Sequence, residues 1–103
     1  MTQPIPNPNQ PLSPYLVVRG APAAIDFYKR AFGAKEQYRL QDPSGKVGHA
    51  ELRLGDALLM LADEFPDFGA LSPITIGGTP VSLHLYVESV DDVVKSAVEA
   101  GAT

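Results

Sequence analysis

YLVVRGAPAAIDFYKRAFGA (15–34) and VSLHLYVESVDDVVKSAVEAGA (81–102) begin alike, with a short β-rich run, a polar link, an amphipathic helical stretch and an Ala-Gly-Ala or Phe-Gly-Ala stop. A strand-helix unit that recurs after about seventy residues implies duplicated modules packed as a pair, because one module alone leaves a sheet face uncovered. The second copy reaches Thr103 straight after its helix. The reading therefore expects a second module truncated after its β and α elements.

Within the first copy, Tyr15 to Val18 reads as a strand. Pro22 sits where a first helical turn tolerates it, and Ile25, Tyr28, Ala31 and Phe32 recur at helical spacing up to Gly33. Lys35 to Gln41 then reads as a strand ending in Asp42-Pro43-Ser44-Gly45, a turn sequence. Val47 to Leu54 alternates His49, Glu51 and Arg53 with Ala50, Leu52 and Leu54, and Gly55-Asp56 joins it to the apolar run Ala57 to Ala62. The first module, 13–62, is βαβββ.

Outward from that module the chain is less regular. Residues 1–12 form a Pro-rich arm, either a frayed terminus or a strap across a partner subunit. Residues 63–80 hold two phenylalanines with scattered Pro and Gly and no periodicity, so they read as an inter-module loop, lid or linker. Residues 81–103 begin the second module: Val81 to Val87 as strand, Ser89 as a helix cap, and Val90, Val93, Val94, Ala97 and Val98 as the helix's buried stripe.

Composition narrows the function classes. The 103 residues are 45% hydrophobic with a formal net charge of -4, and the eight Lys and Arg are scattered, which gives no footprint for nucleic acid. No apolar run approaches a membrane span and the start lacks a signal-peptide pattern, so the expected address is cytoplasmic, with no membrane partner. The absence of cysteine excludes disulfides and thiolate chemistry. No Gly-rich phosphate loop or G-x-S-x-G elbow is present.

The side chains that could carry chemistry lie on strands. A period of two places His49, Glu51 and Arg53 on one face, which either orients an oxygen-rich or anionic ligand or is a solvated strand face. His84 shares a face with Ser82 and Tyr86 and is either a hydrogen-bonded structural residue or a partner of His49 and Glu51. Imidazole and carboxylate suit Fe, Zn, Mn or Ni where three converge.

The order βαβββ then βα, with IDFYKRAFGA (25–34), GHAELRLGDALLMLADE (48–64) and VSLHLYVESVDDV (81–93), resembles the glyoxalase, bleomycin-resistance and extradiol-dioxygenase (vicinal oxygen chelate) superfamily, and within it the PhnB-like branch. The resemblance implies an α+β fold of paired βαβββ modules curved into a cup around a ligand or metal, often completed by dimerisation. It also implies metal ligands on the first and last strand of each module in catalytic members. Here the matched positions carry Ser13, Met60 and Ser82, none a good ligand for Fe, Zn, Mn or Ni, and the fourth position lies beyond Thr103. No metal-binding residues are therefore assigned; a divalent metal would need a rearranged set drawn from His49, Glu51 and His84.

The leading expectation is a small-molecule binding protein that needs no metal, whose cup is lined by Tyr15, His49, Glu51, Arg53, Met60, His84 and Tyr86 and which sequesters a toxic compound as a homodimer; whether the chain is an enzyme is left open by the sequence. The alternatives are a metal-dependent lyase, isomerase or dioxygenase, and an inactive truncated assembly module.

Overall fold

The computed structural model describes residues 10–103. Most of the Pro-rich arm, residues 1–9, lies outside the described residues. Its end is tied down: the Gln10 side chain donates to Leu58 O at 3.0 Å and accepts from Leu58 N–H at 2.7 Å, replacing a strand neighbour at the start of the fourth strand.

The chain forms β1 (Tyr15–Val18), α1 (Ala21–Phe32), β2 (Lys35–Gln41), β3 (Val47–Leu54) and β4 (Ala57–Asp63). A 3₁₀ turn (Pro66–Phe68), the one-turn helix α2 (Pro73–Ile76) and α3 (Val90–Glu99) follow. The strands make one curved four-stranded sheet in the order β1-β4-β3-β2. β1 runs parallel to β4, while β4 with β3 and β3 with β2 are antiparallel. The order βαβββ gives the α+β fold class read from the sequence.

α1 ends where Gly33 takes the left-handed conformation at φ 68°, which a β-carbon would strain. The Gly33 and Ala34 N–H groups donate back to Lys29 O and Tyr28 O, closing the last turn. The helix lies on one sheet face, where Ala21 and Ile25 meet Ala50, Leu52 and Leu61, all fully buried. Alternation along each strand sends Tyr15, Val17, Glu51, Met60 and Ala62 to the opposite, open face.

Two bulges interrupt β2–β3. Leu40 pairs with His49 but Gln41 pairs with Val47, so Gly48 has no partner. The extra residue rotates Val47 from the His49 side into the helix-side core, where it is fully buried. The other irregularity leaves out Gln37 between Glu36 and Tyr38.

The strand expected at Val81 to Val87 does not form: the segment carries no ladder, and Val81, Leu83, Leu85 and Tyr86 are exposed. β-rich composition sets a preference, but a strand exists only through a neighbour that accepts its backbone bonds, and none of the described strands does so. The helix after it forms as read, with Ser89 Oγ accepting from Asp92 N–H at 3.3 Å. Of its apolar stripe Ala97 is buried, while Val90, Val94 and Val98 are exposed. The inter-module loop is also more ordered than read. Pro66 and Pro73 each open a helical turn, where a missing N–H costs nothing.

Candidate functional site

Asp63, the last residue of β4, organises the site from beneath. Only 7% exposed, its Oδ1 accepts from Gly20 N–H at 3.0 Å and Ala21 N–H at 2.8 Å, and its Oδ2 accepts from Val47 N–H at 2.8 Å. Gly20 carries no side chain to cap α1, so this carboxylate supplies the missing acceptor and opposes the helix's positive end. The same group holds the start of β3 beside the Gly48 bulge. Nothing in local spacing announced this role, because the partners lie 16 and more than 40 residues away.

Above it, Tyr15, Val17, Gly48, Ala62, Phe65, Phe68 and Ala70 line a widely open cavity of about 340 Å³ on the open face. The floor is strand residues with small or absent side chains; the far wall comes from the segment after β4. A β-carbon built on Gly48 would meet only Leu40 O, at 3.9 Å, so glycine leaves cavity volume there without being demanded by packing. Lys46 Nζ stands 4.5 Å from the centre of the Phe65 ring, a cation over an aromatic face at the edge of this wall.

The wall segment is pinned by Glu64. Its Oε1 accepts from Ser72 N–H at 2.9 Å and from Thr75 Oγ1 at 2.7 Å, while Arg19 lies 3.5 Å from Oε2 and donates to Thr75 Oγ1 at 2.7 Å. The Ser72 backbone bond, then the Thr75 and Ser72 side chains and the Arg19 charge, lower the Glu64 carboxyl to about 2.

Three polar side chains form a chain that begins at Tyr15, which lines the cavity. Tyr15 Oη is 2.8 Å from His49 Nδ1, and His49 Nε2 is 2.9 Å from Glu51 Oε2. The imidazole is flanked by the Tyr15 ring at 5.4 Å and the Tyr38 ring at 6.0 Å between centroids. A carboxylate only accepts, so a proton on Nε2 serves the Glu51 contact; with the imidazole proton there alone, Nδ1 accepts from the Tyr15 hydroxyl. Burial first and the Glu51 charge second raise the Tyr15 phenol above its ordinary value, which keeps that donor protonated.

The open face therefore gathers Tyr15, His49, Glu51 and Met60 from the expected set, with Met60 opposite both Tyr15 and Glu51. Arg53 follows on β3. With the Gln37 amide turned to satisfy its neighbours, the Gln37 oxygen accepts from Arg53 Nε at 2.7 Å and Nη2 at 3.2 Å. His84 does not join them: it lines a separate groove of about 280 Å³ with Tyr28, Phe32, Leu54 and Leu58. Tyr86 is 88% exposed, its ring 5.0 Å from that of His84. Both departures follow from the missing ladder at Val81 to Val87, which was to have carried these side chains to the sheet. Sequence reasoning missed Val17, Gly48, Ala62, Phe65, Phe68 and Ala70. The cavity walls were hidden because small residues carry no chemical signal and the loop's aromatics no periodicity.

A divalent metal does not fit the matched positions, since Met60 offers a thioether and Ser13 and Ser82 neutral hydroxyls. Among the described residues no three His, Cys, Asp or Glu side chains are grouped to hold a cation. No helix among them is long and apolar enough to cross a membrane.

Comparison with known proteins agrees with this architecture. The uncharacterized protein Mb0911c of Mycobacterium bovis is 46% identical over 95 residues, which cover 89% of this chain; the chain spans 62% of the length of that relative. Among solved structures, the Arabidopsis thaliana gene product AT5G48480 superimposes with a TM-score of 0.70 at 23% identity, over all of this chain and 76% of its own. The genomically encoded fosfomycin resistance protein FosX of Listeria monocytogenes does so with a TM-score of 0.56 at 14% identity, over all of this chain and 72% of its own. The description Glyoxalase/Bleomycin resistance protein/Dioxygenase superfamily matches residues 10–103, and the chain belongs to that superfamily.

Proposed function

We propose that the chain binds a small, largely apolar molecule in the cavity on the open face of its sheet and acts by holding it, as a sequestering protein does. The observation that carries this reading is an apolar cavity of about 340 Å³ lined by Tyr15, the residue at the head of the polar chain Tyr15–His49–Glu51. Ligand sites of this kind take affinity from apolar area and orientation from a few polar groups. Resistance to a toxic compound is the biological role such binding would serve; FosX, which shares the fold, is a fosfomycin resistance protein. The phrasing of 25–34 and 48–64 supports the PhnB-like branch, and a cytoplasmic homodimer is the form proposed for the protein.

A thermal-shift screen of aromatic metabolites and antibiotics, followed by calorimetry on the hits, tests the reading. A ligand at a hundred times its Kd should stabilise the fold by about 2.7 kcal/mol. Absence of saturable binding across the set would reject it.

A further inference from the structure

We propose that Tyr15 is the specificity-determining residue of the cavity and presents a hydrogen-bond acceptor, so that the preferred ligand is a neutral aromatic molecule carrying an O–H donor, a phenol in chemical class. This deepens the binding reading above and rests on it.

The direction of the polar chain carries the inference. We assign the single His49 proton to Nε2, which faces the acceptor-only Glu51 carboxylate across 2.9 Å; in that tautomer Nδ1 is an acceptor 2.8 Å from Tyr15 Oη. The Tyr15 hydroxyl thus spends its only proton on His49. A phenolic oxygen retains acceptor capacity when its proton is donated, and no second partner of the Tyr15 hydroxyl is present among the described residues. That oxygen belongs to a side chain lining the cavity, while the other cavity residues contribute apolar surface, apart from Asp63, whose oxygens are taken by backbone N–H groups. A ligand carbonyl would meet no donor at Tyr15; a ligand hydroxyl would complete the oxygen's bonds. Donation to His49 also makes the Tyr15 oxygen a stronger acceptor, as hydrogen bonds in a chain polarise one another. The cavity's volume accommodates a single substituted ring.

Calorimetric titration of 4-propylphenol and its methyl isostere 4-propyltoluene against the natural chain and Tyr15→Phe forms a double-mutant cycle. The expected result is tighter binding of the phenol by about tenfold in the natural chain, a preference that Tyr15→Phe reduces to the difference in ligand desolvation alone. Equal preference in both proteins would overturn the inference while leaving the binding reading intact. Failure of both probes to bind the natural chain would reject this inference and count against the binding reading together. Tyr15 is 46% exposed and the substitution removes one oxygen, so the fold should tolerate it. A second measurement does not need the variant: ¹⁵N chemical shifts of His49, one of two histidines, should report the Nε2–H form, and the Nδ1–H form would overturn the proposal.

Discussion

Asp63 Oδ2 accepts the Val47 backbone N–H at 2.8 Å while its Oδ1 holds the first turn of α1, so one buried carboxylate ties three elements together. Removing it strands three backbone donors. Asp63→Ala should lower stability by about 3 kcal/mol or more, and Asp63→Asn by about 2 kcal/mol, because an amide offers one acceptor oxygen and turns an N–H₂ toward donors on its other side. Urea denaturation followed by circular dichroism measures both. A loss below about 0.5 kcal/mol for Asp63→Ala would show that the carboxylate is not holding the module.

Glu64 makes the cavity wall acid-sensitive at one end only. Its folded carboxyl, at about 2, lies below the ordinary carboxylate value of about 4.3. Stabilisation of the wall is therefore fully present above about pH 4.5 and lost as pH falls toward 2. NMR shifts of the Ser72 amide, recorded from pH 6 downward, should stay constant until below pH 4 and then move. In Glu64→Gln that transition should vanish, whereas Asp42, also lowered, by the Ser44 side chain first, would continue to titrate at the β2–β3 turn.

Gly48 separates binding from folding. Its backbone does not need a positive φ, and the nearest obstacle to a side chain is Leu40 O at 3.9 Å. Gly48→Leu should fill part of the 340 Å³ cavity and weaken ligand binding by tenfold or more, with stability changed by less than about 1 kcal/mol. Calorimetry and denaturation run on the same preparation check the two halves of this expectation. Unchanged affinity would place the ligand elsewhere.

Much of the module was legible because its signals are local. Pro22 and Gly33 bracket α1, and the alternation of His49, Glu51 and Arg53 with Ala50, Leu52 and Leu54 orients β3. What was not legible depends on residues distant in sequence. Val47 has the same parity as His49 and yet is buried, because a bulge opposite Leu40 and Gln41 turns it. The Val81 to Val87 segment has strand composition but no strand partner among the described residues, and His84 is consequently in a groove with Tyr28 and Phe32 rather than with His49. Tyr15, His49 and Glu51 were each nameable as candidates, whereas the 2.8 and 2.9 Å contacts that join them depend on the pairing of strands distant in sequence.

The exposed stripe of α3 bears on assembly. Val90, Val94 and Val98 lie four residues apart, on one side of the helix, and are 64%, 54% and 59% exposed, while Ala97 is buried. Leu83 and Leu85 add to the apolar surface near this end of the chain, each about half exposed. Exposed apolar side chains of this kind favour association, and a homodimer is the proposed form. Sedimentation should then show mass rising with concentration, and Val94→Asp should shift the equilibrium toward the monomer by tenfold or more. Because Val94 contributes little to the interior of its own chain, the substitution should change intrinsic stability by less than about 0.5 kcal/mol. A natural chain that stays monomeric at high concentration, or a Val94→Asp protein that associates as strongly, would remove this stripe from the interface.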